Sequence, residues 1–136
     1  MKINKVNEEF VKLYFKTKKV YYQKVDEYVY LSDSHRIYKL NEKNCILDTS
    51  KFIEVNLENF MNCTDYSQGI ITNELVVDEY KLRVIKTFDE NEIIYVNDNF
   101  LKLFDDPRVM VKDKTSPIYV YEKDELVGML LPVKVV

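Results

Sequence analysis

Glycine is almost missing from this sequence: Gly69 and Gly128 are the only two in 136 residues. Loops that cradle phosphates need closely spaced glycines, so neither a P-loop nor a dinucleotide-binding fingerprint can be written with this pair. The G-x-S-x-G turn of serine hydrolases is absent for the same reason. His35 is the one histidine, which excludes a two-histidine metal site and leaves no second choice around which to build a Ser-His-Asp set. Cys45 and Cys63 lie far apart without a C-x-x-C pattern and read as small buried hydrophobes. No stretch approaches the ~18 apolar residues of a membrane span. The opening "MKINKVNEEFVKLYF" lacks the apolar run and small-residue cleavage site of a secretory leader. The acidic pairs Asp78-Glu79 and Asp105-Asp106 fall at turns and read as solvated. These absences lead us to expect a cytoplasmic, non-enzymatic protein with no cofactor, no metal and no membrane contact.

What is present is the material of a folded chain. Apolar residues make up 46% and charged residues 32%, a balance that supports a packed core, and the length predicts one domain over 1–136. The formal net charge of -3 offers no overall attraction to nucleic acid, although a local stripe can still be basic.

Hydrophobic spacing predicts a helix over 7–18, with Val6, Phe10, Leu13 and Tyr14 on one arc. Lys5, Lys12, Lys16 and Lys19 fall on a second arc, interleaved with Glu8 and Glu9. This arc is either a solvated face with Glu-Lys pairs such as Glu8 to Lys12 or a phosphate-facing stripe. Strands follow at "VYYQKV", "EYVYLSD" and "HRIYKLN", rich in β-branched and aromatic residues. The middle, 42–78, is less regular. It reads as an extended "KFIEV", a short helix over 57–61 with Asn56 as N-cap, and a turn at "YSQG". Beyond it, "YKLRVIKTF" and "EIIYV" read as strands joined by a turn at "DEN". "NDNFLKLF" reads as a helix capped by Asn97, with Phe100, Leu101 and Phe104 facing inward, ending at Pro107. "RVMVKD", "PIYVYEK" and "LVGMLLPVKV" close the chain as strands. The expected class is α+β: two helices, one per half, laid across a continuous antiparallel sheet. An apolar ending such as "VGMLLPVKVV" is unusual for a terminus and implies that a sheet or a partner uses it.

Two stretches carry a family resemblance. "VYLSDSHRIYKL" resembles the strand-turn-strand motif of the bacterial DNA polymerase sliding clamp (the β subunit family). "IYVNDNFLKLF" and "VMVKDKTSPIYVYEKDELVGMLLPVKV" resemble, in order and spacing, the last domain of that clamp. The resemblance implies a clamp-like domain with helices lining a ring around DNA and sheets pairing edge to edge between domains. It also implies a hydrophobic pocket for short partner peptides. One wall would be Leu131, Pro132, Val133, Lys134 and Val135; the facing wall, from a neighbouring domain, would be Ser32, His35, Arg36 and Ile37. Lys5, Lys12, Lys16 and Lys19 would face DNA. Because one chain carries both wall motifs, a complete pocket would need a second copy placed head to tail. Ser34 stands where the family usually has Gly, so either a left-handed turn there is strained or the turn type has changed.

Two functions remain open on the sequence. One is a homo-oligomeric tether that encircles DNA and binds replication proteins carrying clamp-binding peptides. The other is a phage or mobile-element protein that borrows the fold to inhibit or modulate a host clamp, replication or defence factor. The second draws on the small size, the acidic balance, and a usage of Lys, Asn, Ile and Tyr that fits an AT-rich genome.

Overall fold

The computed structural model describes residues 1–89 and 91–135. It is α+β, with two helices and mostly antiparallel sheets. Helix α1 (Ile3–Thr17) leads into a meander of β1 (Tyr21–Val25), β2 (Tyr28–Ser32) and β3 (Arg36–Asn41). The middle of the chain holds two short strands, β4 (Ile53–Glu54) and β5 (Ser67–Gln68). Then come β6 (Ile70–Val77), β7 (Lys81–Lys86), β8 (Ile93–Asn97), the one-turn helix α2 (Asp98–Leu101), and β9 (Arg108–Val111), β10 (Ile118–Glu122) and β11 (Glu125–Leu130).

The expected single sheet is in fact two. An eight-stranded sheet has the order β4-β1-β2-β3-β11-β10-β9-β5, and β6-β7-β8 form a separate three-stranded sheet. Every pairing is antiparallel except β1 with β4. The last long strand is inserted, not appended. β11 pairs with β3 at Met129↔Ile37 and with β10 at Tyr119↔Met129, so it joins the first meander to the last.

Helix α1 starts earlier than its periodicity predicts because a tertiary contact holds its first residues. The Lys2 N–H donates to Leu103 O at 2.8 Å. The helix ends at Thr17, where Lys18 turns left-handed (φ 60) and its N–H returns to Tyr14 O, a glycine-type stop made without glycine. The buried residues are Val6, Asn7 and Phe10, while Leu13 and Tyr14 stay half-buried. Asn7 is a buried polar group with its bonds made. Its amide donates to Ile3 O and Asn44 O, and its carbonyl accepts from Ile46 N–H at 3.1 Å, which staples the start of the middle region to the helix.

Helix α2 has the expected cap, the Asn97 side chain accepting from Asn99 N–H at 3.0 Å. It stops after Leu101, shorter than the expected 97–104, and the following turns carry Leu103 and Phe104 into the core. Phe100 is only half-buried. Tyr38 sits between Phe10 (edge-on, 5.9 Å) and Phe104 (stacked, 5.1 Å) and donates its hydroxyl to Phe100 O at 2.8 Å. Burial pushes the Tyr38 hydroxyl well above its usual pKa, so it remains a donor.

The middle region covers the outer face of the eight-stranded sheet. Tyr30, Ile37, Tyr119 and Met129 point to that face and pack with Leu57. Gln23 Oε1 accepts from the N–H of both Leu57 and Glu58 at 2.8 Å, and the Tyr119 hydroxyl donates to Phe60 O. The short helix expected at 57–61 is a 3-10 turn, Glu58–Phe60, with the Asn56 side chain accepting from Asn59 N–H at 3.3 Å. The turn expected at "YSQG" is instead strand β5, paired with β9. Gly69 has no positive φ; it is small because a Cβ there would lie 3.0 Å from Val111. The "DEN" turn includes Glu90, outside the described residues. Ser34 does turn left-handed, with φ 79, and its N–H donates to Ser32 Oγ at 3.2 Å.

Gly128 in β11 lies under the Phe104 ring, where a Cβ would fall 2.3 Å from ring carbon. Gly128→Ala should therefore lower unfolding free energy by about 1–3 kcal/mol, as overpacking does, measured by urea denaturation. An unchanged midpoint would contradict this packing.

Candidate functional site

The site is built by the residues that follow β11. Leu131 extends the ladder by donating its N–H to His35 O at 2.9 Å. Pro132 then breaks it, having no N–H to give. Val133 donates to Tyr95 O at 2.8 Å and forms an antiparallel bridge with it. The end of the chain thus crosses from the large sheet to the small one. Beside that crossing lies a cavity of about 380 Å³. Its walls are Ile93 and Tyr95 of β8, Lys114 and Thr115 of the loop before β10, and residues 131–135.

The loop is fixed by one carboxylate. Asp113 Oδ1 accepts from Thr115 N–H (3.0 Å), Thr115 Oγ1 (3.0 Å) and Ser116 N–H (2.8 Å). These bonds, led by the Thr115 backbone N–H, pull its pKa from 3.8 down to about 2, because they stabilise the charged form.

The pocket was expected between neighbouring copies; within one copy its two residue sets differ in exposure. Leu131, Pro132, Val133, Lys134 and Val135 all line the cavity, and Val136 lies outside the described residues. Of the other set, Ser32, Arg36 and Ile37 are buried and His35 is exposed. Ile37 packs in the outer-face cluster. Arg36 bonds Asp33 at 3.0 Å, reaches Glu9 at 3.4 Å, and lies 4.0 Å from the Phe100 ring centroid. It ties β3 to both helices. His35 accepts a bond from the terminal segment through its backbone carbonyl, and Leu131 packs against the outer-face cluster that holds Ile37.

The expected lysine arc is incomplete. Lys5, Lys12 and Lys16 are exposed on α1, but Lys19 lies beyond the left-handed residue that ends the helix and leaves the arc. Glu8 and Glu9 share that face, with Glu8 paired to Lys12 at 3.0 Å. Among the described residues, no group of three or more His, Cys, Asp or Glu side chains is placed to hold a metal ion, and no helix is long and apolar enough to cross a membrane.

Sequence reasoning missed Ile93, Tyr95, Lys114 and Thr115. "EIIYV" was legible as a strand, with apolar residues on both faces, but nothing in it says which segment lies along its edge.

Val133→Pro removes the N–H that reaches Tyr95 O, so amide exchange across 131–135 should speed by at least tenfold, about 1.4 kcal/mol of local protection. Exchange followed by mass spectrometry checks this; unchanged protection would show that the bond does not hold the segment. The contribution of the Asp113 loop bonds should be present above the unfolded pKa of 3.8 and fade as pH falls through about 2. An Asp113 carboxyl carbon titrating near 4 by NMR would contradict that geometry.

No protein-family model, curated protein or solved structure matches the chain, and the functional reading therefore rests on the chemistry of the groove and on the sequence resemblance.

Proposed function

We propose that this protein is a non-enzymatic tether with a clamp-like fold, and that it holds an extended apolar segment of a partner protein in the groove beside residues 131–135. One observation carries the reading: an open, largely apolar cavity about 380 Å³ in volume lies where the terminal segment meets the edge of β8. Small concave apolar sites with a few polar groups are the usual form of a recognition pocket, and extended peptides commonly dock on exposed sheet edges. The α+β arrangement is compatible with the clamp resemblance, which points to the same five closing residues. In this reading the chain assembles with copies of itself around DNA, and α1 turns Lys5, Lys12 and Lys16 toward the phosphates.

A second reading is that of a phage or mobile-element protein acting on a host replication or defence factor without DNA. The net charge of -3 and the carboxylates of Glu8 and Glu9 on the lysine face favour it.

Fluorescence anisotropy with a fluorescein-labelled heptapeptide carrying Leu at alternate positions tests the groove. Ile93 is 45% exposed, so Ile93→Asp should fold normally yet weaken binding roughly tenfold by placing a charge in the apolar wall. Equal affinity for both proteins would remove the groove as the site. Binding of duplex DNA that falls steeply with salt, and falls further in Lys12→Glu/Lys16→Glu, supports the DNA-encircling form. Peptide binding with no DNA binding supports the second reading.

A further inference from the structure

We infer that the end of α1 docks an acidic amphipathic helix of a partner protein, on a patch that the tether reading does not use. The patch is a row of four aromatic rings. Phe15 lies 6.0 Å from Tyr14, Tyr14 lies 5.5 Å from Phe52, and Phe52 lies 6.3 Å from Tyr22, centroid to centroid. The row therefore joins the last turn of α1 to the residue before β4 and to β1. Phe15 is 71% exposed and Val11, one turn before it, 40%, while the other three rings are half-buried. Protein interfaces are enriched in aromatic residues, and contiguous apolar surface, more than a single exposed side chain, marks a binding face.

Charge says what the partner carries. Between Phe10 and Val25 the sequence has no Asp or Glu. Lys18 and Lys19, which follow the helix, and Lys51, next to Phe52, are exposed. None of the three enters an ion pair among the described residues. Lys18 Nζ lies 4.7 Å from the Tyr14 ring centroid and 5.2 Å from that of Phe15, so cation and apolar surface form one patch. Neighbouring carboxylates are committed elsewhere: Glu8 to Lys12, Glu9 to Arg36, and Asp48 to the Ser50 N–H. In a chain of net charge -3, this end is locally basic, and complementary charge selects an acidic partner.

The shape of the row chooses among acidic partners. Its rings are tilted 70°, 47° and 67° to their neighbours, and Lys18 lies over two of them. They therefore offer no run of parallel free faces on which successive bases could stack. A flat anionic membrane would also meet Glu54, which is exposed and pairs opposite Tyr22 in β4; the narrow footprint of a helix passes beside it. An amphipathic helix presents apolar residues at i, i+3, i+4 and i+7. These would seat against Val11, Phe15 and the row behind them, with flanking carboxylates over Lys18, Lys19 and Lys51.

The test uses two fluorescein-labelled peptides of about 18 residues, long enough to form a helix. Each has Leu at that spacing, Ala opposite, and either Glu or Gln on the flanking positions, and each is titrated by anisotropy in low and physiological salt. The Leu/Glu peptide should bind about tenfold more tightly than Leu/Gln at low salt, with the advantage shrinking as salt screens it. Phe15→Ala, at an exposed position, should weaken both about tenfold. Lys18→Gln/Lys19→Gln/Lys51→Gln should abolish the preference and leave Leu/Gln affinity unchanged. Failure of both peptides to bind, equal binding of the two, a preference that survives the triple variant, or affinity untouched by Phe15→Ala overturns the inference. So does loss of Leu/Glu binding in Ile93→Asp, which would put the peptide in the groove and leave the groove reading standing. A single-stranded oligodeoxythymidylate that displaces the Leu/Glu peptide, and whose own binding is lost in Phe15→Ala, overturns the inference and gives the row to nucleic acid. Phosphatidylserine-containing vesicles behaving in the same way overturn it and give the row to a membrane surface.

Discussion

The pairing of β11 between β3 and β10 is the constraint on which the rest of the molecule depends. Neither meander by itself makes the large sheet; the shared strand makes them one, at Met129↔Ile37 on one side and Tyr119↔Met129 on the other. Its register is set by side chains as well as hydrogen bonds. Met129 faces the outer cluster, Leu130 faces the inner core, and Gly128 between β3 and β10 leaves room for Phe104. A slip of one residue would exchange the two faces and put a Cβ under that ring. Phe104 in turn stacks on Tyr38, which packs on Phe10 of α1. The helix, both meanders and the turn after α2 therefore meet in one aromatic column.

That sheet is covered on both sides, which explains the composition of its strands. The inner face takes α1 and the small sheet's apolar residues, among them Ile85, Ile94 and Val96. The outer face takes the strap of the middle region around Leu57. Where a sheet has water on one face, its strands alternate apolar and polar; where both faces are covered, they do not. The run Tyr28 to Leu31 follows the second pattern, with Val29 and Leu31 facing in and Tyr30 facing the strap. The groove is a consequence of the same arrangement. Once β11 is locked at Leu130, the chain must leave the large sheet, and Pro132 makes it leave at once. It meets the edge of β8 at Tyr95, and the cavity lies beside that crossing.

Charge is distributed to match. Arg36, the most buried cation of the expected motif, is satisfied by Asp33 and Glu9 and enclosed by Phe10, Tyr38 and Phe100. A buried cation needs such partners, and its role here is to hold elements together. The α1 lysines are diluted by acids on their own face, whereas Lys114 and Lys134 have none among the described residues that line the cavity.

The sequence by itself determined the local elements, because periodicity and capping chemistry act over a few residues. It marked the meanders and the Asn97 cap, and it marked the last ten residues as too apolar to hang free. Through their resemblance to a clamp ending it singled out Leu131 to Val135, which line the cavity. Only the tertiary structure decided what depends on distant contacts. It put β11 inside the sheet, split the strands into two sheets, and made the "YSQG" segment a strand by pairing it with β9. It buried Ser32, Arg36 and Ile37, and it set Ile93, Tyr95 and Lys114 beside the terminal segment. The physical reason is the same in each case: a strand's pattern records that one face is buried, but it does not record which backbone lies along its edge.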